Sequence, residues 1–328
     1  MARQVAMVID LNKCIGCHTC TTACKSLWTD EPGQEQMLWH NVETKPGPGY
    51  PANWESGGGG WENGQLKPGN LMSRESHGQA CSVNHEAVFF AGTEKQLRPI
   101  ETMRIGSNWN EDSSTGQYPN NYHFYLPRLC NHCTKPSCLE ICPVRAIYKR
   151  EEDGVVLIDQ DKCQGLRACN VACPYKKIYF NHVTKKSQKC IFCFPRLEKG
   201  EPPACASQCP GKLRFVGFLE DQDGPIHQLV YEWKVALPLH PEYGTEPNVF
   251  YVPPILPPTF DDKGEISEEP RIPIEYLREL FGSEVDGALI TLEFEMENKR
   301  AGKASRLMDL LIAKDWKSMF NIPDVRLE

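Results

Sequence analysis

Fifteen of the sixteen cysteines fall into four groups, and their spacing is the first chemistry the chain offers. Cys14, Cys17, Cys20 and Cys24 form a CxxCxxCxxxC run. Cys130, Cys133, Cys138 and Cys142 repeat it with a wider second gap and end in CxxxCP. Cys163, Cys169 and Cys173 keep the frame, with Leu166 standing where the second cysteine would be. Cys190 and Cys193 are followed, after eleven residues, by Cys205 and Cys209. Three thiolates on a loop that Gly16 allows to turn tightly can wrap three corners of an iron–sulfur cubane, and a fourth, one helical turn on, points to a different cluster. Zinc sites favour isolated CxxC pairs. Disulfide frameworks belong to short secreted chains in which roughly a tenth of the residues are cysteine, and 16 in 328 is about half that density. The pattern therefore reads as iron–sulfur.

Counting assigns the ligands. Twelve of the fifteen grouped cysteines fill three cubanes, and the other three suit one three-iron cluster. Leu166 accounts for the shortfall, because a corner without a thiolate loses its iron readily; the alternative is a cubane whose fourth iron takes water or another side chain. Groups two and three are separated by a hairpin of ferredoxin length, so they form one two-cluster module with crossed fourth cysteines, and groups one and four are left to each other. This gives [4Fe-4S] sets of Cys14, Cys17, Cys20 and Cys209; of Cys24, Cys190, Cys193 and Cys205; and of Cys130, Cys133, Cys138 and Cys173. Cys142, Cys163 and Cys169 hold a [3Fe-4S] cluster with Leu166 at the non-ligand position. Cys81 stands alone as a free structural thiol.

The elements that position these groups follow from the intervening sequence. Residues 4–9 are strand-like and lead into Cys14; Asp153-Gly154 supplies a hairpin turn between β-prone arms; residues 212–219 form a strand. The lead-in Asp10-x-Asn-Lys-Cys14 returns as Asp159-x-Asp-Lys-Cys163, which points to internal duplication. Residues 31–122 are rich in Gly, Pro, Asn and Trp and show little periodicity, but Trp39, Trp54, Trp61 and Trp109 need something to pack on, so the stretch reads as an insertion that meets a partner. After residue 228 come a Pro-rich extended piece, an acidic loop and helices near 273–282 and 298–314. The expected fold is α+β: two pseudo-symmetric bacterial-ferredoxin-like modules with long irregular insertions and a C-terminal helical tail. The outer module takes residues 1–30 and 176–228, the inner module 123–175, and a docking extension 229–328.

A formal charge of -7, deepened by thiolate-ligated clusters, argues against nucleic-acid binding. Basic residues between Lys176 and Lys199 read as compensation of cluster charge plus a solvated face. Mean hydropathy of -0.47 and the lack of any 18-residue apolar run predict no membrane span, and the N-terminus, passing straight into a strand, predicts no export signal. No dinucleotide fingerprint or P-loop is present. No catalytic residues are expected, and His18, His132 and His182 read as hydrogen-bond partners near clusters.

The order of the groups, the missing second cysteine in the third, and the segments Asp10–Cys17, Asn131–Pro136, Val235–His240 and Glu246–Pro254 resemble the four-cluster iron–sulfur β subunits of the dimethyl sulfoxide reductase family of molybdenum enzymes. The resemblance is greatest to the type II branch: perchlorate, chlorate and selenate reductases, dimethyl sulfide dehydrogenase and ethylbenzene dehydrogenase. It implies a non-catalytic electron-transfer subunit between a molybdenum-cofactor α subunit and a haem b γ subunit. The first cubane would face α and the three-iron centre the haem, and the complex would reach the periplasm on the signal of α. Nitrate reductase β subunits share the arrangement but are longer and carry tryptophan at the position of Leu166, which leaves a cytoplasmic nitrate reductase as the alternative. A quinol-linked reductase subunit and, in another class, a zinc-stabilised scaffold are the remaining readings.

Overall fold

Val5–Asp10 is buried at every position, as befits a strand covered on both faces and paired on both edges. The computed structural model describes residues 3–78 and 115–322; Cys81 and Trp109 lie outside the described residues. Val5–Asp10 pairs antiparallel with Arg214–Phe218, Ile9 facing Arg214, and parallel with Val249–Val252, Met7 facing Val249. Leu237–Pro238 completes this four-stranded sheet beyond Val249–Val252. Two of its four strands, Leu237–Pro238 and Val249–Val252, come from the stretch after 229 that the sequence suggests as a docking extension. Val, Ile and Phe on successive strands give the sheet its β propensity and its apolar faces.

Two short antiparallel hairpins flank the cysteine groups. Ile147–Lys149 pairs with Val156–Ile158, and the chain turns through Gly154 at φ 70°. Ile178–Asn181 pairs with Lys186–Lys189. At the C-terminal end the helix expected near 273–282 is found at Ile274–Phe281. The one expected over 298–314 is instead two, Val285–Arg300 and Arg306–Ile312. The chain breaks at Gly302, φ 76°, and the second helix restarts at Ser305, whose hydroxyl accepts the Met308 N–H at 3.1 Å. Val285–Arg300 gives little sequence signal because its apolar residues do not keep to one face: Ile290 and Phe294 are 68 % and 62 % exposed.

The irregular 31–122 stretch is anchored by charge rather than by an apolar stripe. Its strand Asn41–Lys45 pairs with Phe124–Arg128. Fully buried Glu43 accepts from Arg128 at 2.7 Å, Asn41 at 3.0 Å, the Tyr50 N–H at 3.0 Å and Trp54 Nε1 at 3.1 Å. The Arg128 guanidinium lies 3.4 Å from the centre of the Trp54 ring. Burial alone would raise the Glu43 carboxyl, but Arg128, Lys45 and Lys177 outweigh it and hold it below the usual range. Removing one partner of such a pair leaves a buried charge unanswered, at about 3–5 kcal/mol. Glu43→Gln is thus expected to lower the unfolding free energy by about that amount in denaturant titration; a loss under ~1 kcal/mol would show that the network is not what anchors the insertion.

Candidate metal centres

Each cysteine loop is built on the same backbone turn. The second residue between the first two cysteines, Gly16 in group one, has φ 66°; its counterparts His132, Gly165 and Phe192 have φ 43°, 67° and 52°. Left-handed backbone strains histidine and phenylalanine. Packing holds these two in place: the His132 and Phe192 rings meet edge to face at 5.2 Å, and His132 Nδ1 accepts the Val156 N–H at 3.1 Å. At Gly165 a Cβ would sit 2.0 Å from the Lys185 carbonyl oxygen, so no side chain fits there.

The last two cysteines of each group are four residues apart on a helical turn. Thr19–Trp28 carries Cys20 and Cys24. Ser137–Glu140, Ala168–Ala172 and Ala204–Ser207 carry Cys138, Cys169 and Cys205, with Cys142, Cys173 and Cys209 just beyond. Pro143, Pro174 and Pro210 end these three turns. The third residue after each of those cysteines, Arg145, Lys176 or Lys212, again has positive φ, and its N–H donates to the cysteine carbonyl at 3.1–3.3 Å. No proline follows Cys24, and the helix runs on to Trp28, whose Nε1–H donates to Cys193 Sγ at 3.1 Å.

These turns bring the thiols together around small cavities. One is lined by Cys14, Cys17, Cys20 and Cys209, with His18 and Arg214. A second is lined by Cys24, Cys190, Cys193 and Cys205, with Trp28, Trp39 and His40. A third is lined by Cys130, Cys133, Cys138 and Cys173, with His132 and Lys177. Cys169 lies within charge range of Cys163 and Cys142. Beside them Leu166, flanked by Gly165 and Arg167 at φ 67° and 60°, occupies the place that Cys17 holds between Gly16 and His18 at φ 66° and 56°. The Cys190 thiol feels Cys130, which sets the second cavity next to the third.

The donor chemistry fits clusters with their own sulfides. Burial, with repulsion from neighbouring thiols, pushes Cys190 up to about 12, and burial pushes Cys14 and Cys169 to about 11. Four such thiols ionise together only around a positive centre. Buried nitrogens of His40, Trp39, His132 and Arg214 lack hydrogen-bond partners among the described residues and line the same three cavities, as donors left for acceptors the protein does not supply. Phe192 and Ala146 N–H groups already donate to Cys190 and Cys142 Sγ, both at 3.3 Å.

Of the histidines singled out from sequence, His18 and His132 line cavities, whereas His182 is exposed, edge-on to Phe180 at 5.0 Å, and lines none of the three cavities above. It lies instead on a separate cleft of about 570 Å³ with Arg74, His77 and Arg167. The basic run divides as expected. Lys176, Lys177 and Lys189 are buried near the thiols, burial pulling Lys177 down to about 7, while Lys185 faces solvent. Sequence reasoning missed Arg214, Trp28, Trp39 and His40; the absence of proline after Cys24 was the one available signal, for Trp28.

The left-handed turn yields a controlled prediction. Gly165→Ala is expected to destabilise by more than about 2 kcal/mol in thermal unfolding, since a backbone clash adds to the ~1–2 kcal/mol of left-handed strain. Gly64→Ala, at φ 77° with nothing within 4 Å, should cost only the strain; equal losses for the two would remove the steric argument.

Comparison with known proteins agrees with this geometry. A family model described as a 4Fe-4S dicluster domain matches residues 121–219, and one described as a 4Fe-4S binding domain matches residues 5–26. The chain is 56 % identical to the dimethylsulfide dehydrogenase β subunit of Rhodovulum sulfidophilum, covering 98 % of this chain and 99 % of that one. It is 54 % identical to the selenate reductase β subunit of Thauera selenatis, covering 98 % and 99 %. It is 57 % identical to the respiratory nitrate reductase β subunit of Haloferax mediterranei, covering 94 % and 90 %, so length does not set this nitrate reductase subunit apart as expected. With cysteine-lined cavities and near end-to-end similarity, the chain belongs to the family of iron–sulfur β subunits of dimethylsulfide dehydrogenase and of the selenate, chlorate and perchlorate reductases, and is an electron-transfer subunit rather than a catalytic one.

Proposed function

We propose that the chain carries electrons through three [4Fe-4S] clusters and one [3Fe-4S] cluster between a molybdenum-cofactor catalytic α subunit and a haem b γ subunit. The carrying observation is that each of three cavities is lined by four thiols drawn from two different cysteine groups. The ligands would be Cys14, Cys17, Cys20 and Cys209; Cys24, Cys190, Cys193 and Cys205; and Cys130, Cys133, Cys138 and Cys173 for the cubanes. Cys142, Cys163 and Cys169 would hold the three-iron centre. Clusters of this kind exchange one electron at a time.

The protein's part is to align, insulate and expose. Shared helical turns join the first cavity to the second and the third to the Cys142–Cys163–Cys169 group, giving a single row. All four thiols of the second cavity are buried, whereas Cys17 alone of the fifteen described cysteines is exposed. Its counterpart Leu166 is 57 % exposed at the other end of the row, and Ile15 beside the first cavity is 69 % exposed. Two open ends of a shielded row suit two partners, α at the first cubane and γ at the three-iron centre. The repeated turns support two pseudo-symmetric modules, 1–30 with 176–228 and 123–175, with the insertion at 31–122 and, in the 229–328 segment, the surface outside its sheet strands available to partners. Among the described residues no helix is long and apolar enough to cross a membrane. We place the complex in the periplasm, exported with α.

The Haloferax relative favours one second reading, the β subunit of a nitrate reductase, and identifying the subunit that co-purifies decides between them. Anaerobic purification should return about fifteen irons per chain and little zinc, and zinc without iron would end the electron-transfer reading. Oxidised protein should show a three-iron signal in electron paramagnetic resonance. Leu166→Cys should abolish that signal by completing a cubane; its persistence would refute the three-iron assignment.

A further inference from the structure

Among the described residues Arg214 is a buried cation with no carboxylate partner. It opens the strand Arg214–Phe218 opposite Ile9, is 1 % exposed, and forms part of the wall around Cys14, Cys17, Cys20 and Cys209. Its Nε and one terminal nitrogen have no hydrogen-bond partner among the described residues. An unpaired guanidinium in an apolar interior is strongly unfavourable unless negative charge lies close by. The groups that reach it are thiols: Cys20, which accepts a hydrogen bond from it, with Cys209 and Cys14 of the first cavity and Cys205 of the second. Their negative charge more than offsets burial and raises the affinity of Arg214 for its proton. Other cations lie near single cavities or elsewhere in the row: Lys13 near Cys209 in the first, Lys177 and Lys189 near Cys190 in the second, and Lys176 and Lys189 near Cys173 and Cys138 in the third, whereas Arg214 reaches thiols of both the first and the second.

We infer that Arg214 is a counterion shared by the first and second clusters and holds both at more positive reduction potentials than they would have without it. This rests on the electron-transfer reading above. Reduction adds one electron and no proton to a centre that is already net negative, and a fixed buried positive charge favours the more negative state. The planar guanidinium presents donors on several edges and can face two sets of sulfurs at once, which a lysine ammonium on its flexible stem cannot. Arg214 therefore acts as a positioning charge and touches no substrate.

The test is potentiometric electron paramagnetic resonance on the complex as purified, with redox mediators supplying and removing the electrons, and with Cys17→Ser and Cys193→Ser used to assign the signals of the two clusters. Arg214→Gln is expected to lower both midpoints, each by at least tenfold in the reduced-to-oxidised ratio at fixed potential, which is 59 mV for a one-electron couple. The third cubane and the three-iron centre should change less than twofold. Arg214→Lys should give a smaller drop confined to the same two clusters. Arg214→Gln protein that loads all its clusters and leaves the first two midpoints unmoved, or shifts all four together, overturns the inference. If Arg214→Gln does not load, Arg214→Lys decides: a drop confined to the first two clusters supports the inference, while no change, a rise, or a shift in the other two overturns it. A wild-type complex without iron–sulfur signals would sink the electron-transfer reading, and the inference with it.

Discussion

Two thiols four residues apart on one helical turn, serving two different cavities, form the constraint on which the rest of the molecule depends. Such a pair is separated by about 6 Å along the helix axis, and both members project from one face. Cys20 and Cys24 line the first and second cavities, and Cys205 and Cys209 line the same two in the opposite order. Neighbouring centres are thus held at a separation fixed by helix geometry, where loops alone would leave it free. The closing prolines and left-handed residues beyond Cys142, Cys173 and Cys209 turn the chain away at once. Where proline is absent, the extra helical turns bring Trp28 to a sulfur in the next cavity.

Gathering fifteen thiols creates a charge problem that the surroundings answer. Carboxylates are kept from the cavity walls, and arginine and lysine are buried beside them: Arg214 at the first, Lys177 at the third. The largest buried acid, Glu43, is reserved for tying the insertion to the core through Arg128 and Trp54. Burying a lysine or arginine in a protein without clusters would be a liability. Here it offsets the centres, so the apoprotein has both unionised thiols and unanswered cations. Folding and cluster loading are therefore coupled.

Much of this was legible from the cysteines. Their intervals encode the turns, and Leu166 in the place of Cys17 is visible in sequence because the loop frame around it, Gly165 and the following helix, is retained. The hairpin through Gly154 was equally legible from local turn chemistry. The counterions and nitrogen donors were not. Arg214 reaches Cys14 and Cys20 only through the pairing of strands some 200 residues apart in the chain, and no local pattern reports such a register. The 31–122 stretch gives no periodic signal, and its described part is held by polar contacts made by single residues rather than by an apolar face. The helix Val285–Arg300 gives little signal for a different reason: its apolar residues are spread around it.

The place of Val5–Asp10 in its sheet has a consequence for synthesis. The strand is made well before its partners: one neighbour, Arg214–Phe218, emerges some 200 residues later and the other, Val249–Val252, later still. At ~5–20 residues per second, the nascent chain carries an unpaired apolar strand for roughly 10–40 s before its first partner exists. During that interval the first four cysteines are also without Cys190 to Cys209, the thiols that share their cavities. Residues 130–173 are complete well before then. The cysteines of that stretch can be brought together on the ribosome, whereas the cavities that Cys14 to Cys24 share with Cys190 to Cys209 must wait for most of the chain, and Val5–Asp10 is the segment that a chaperone would have to shield.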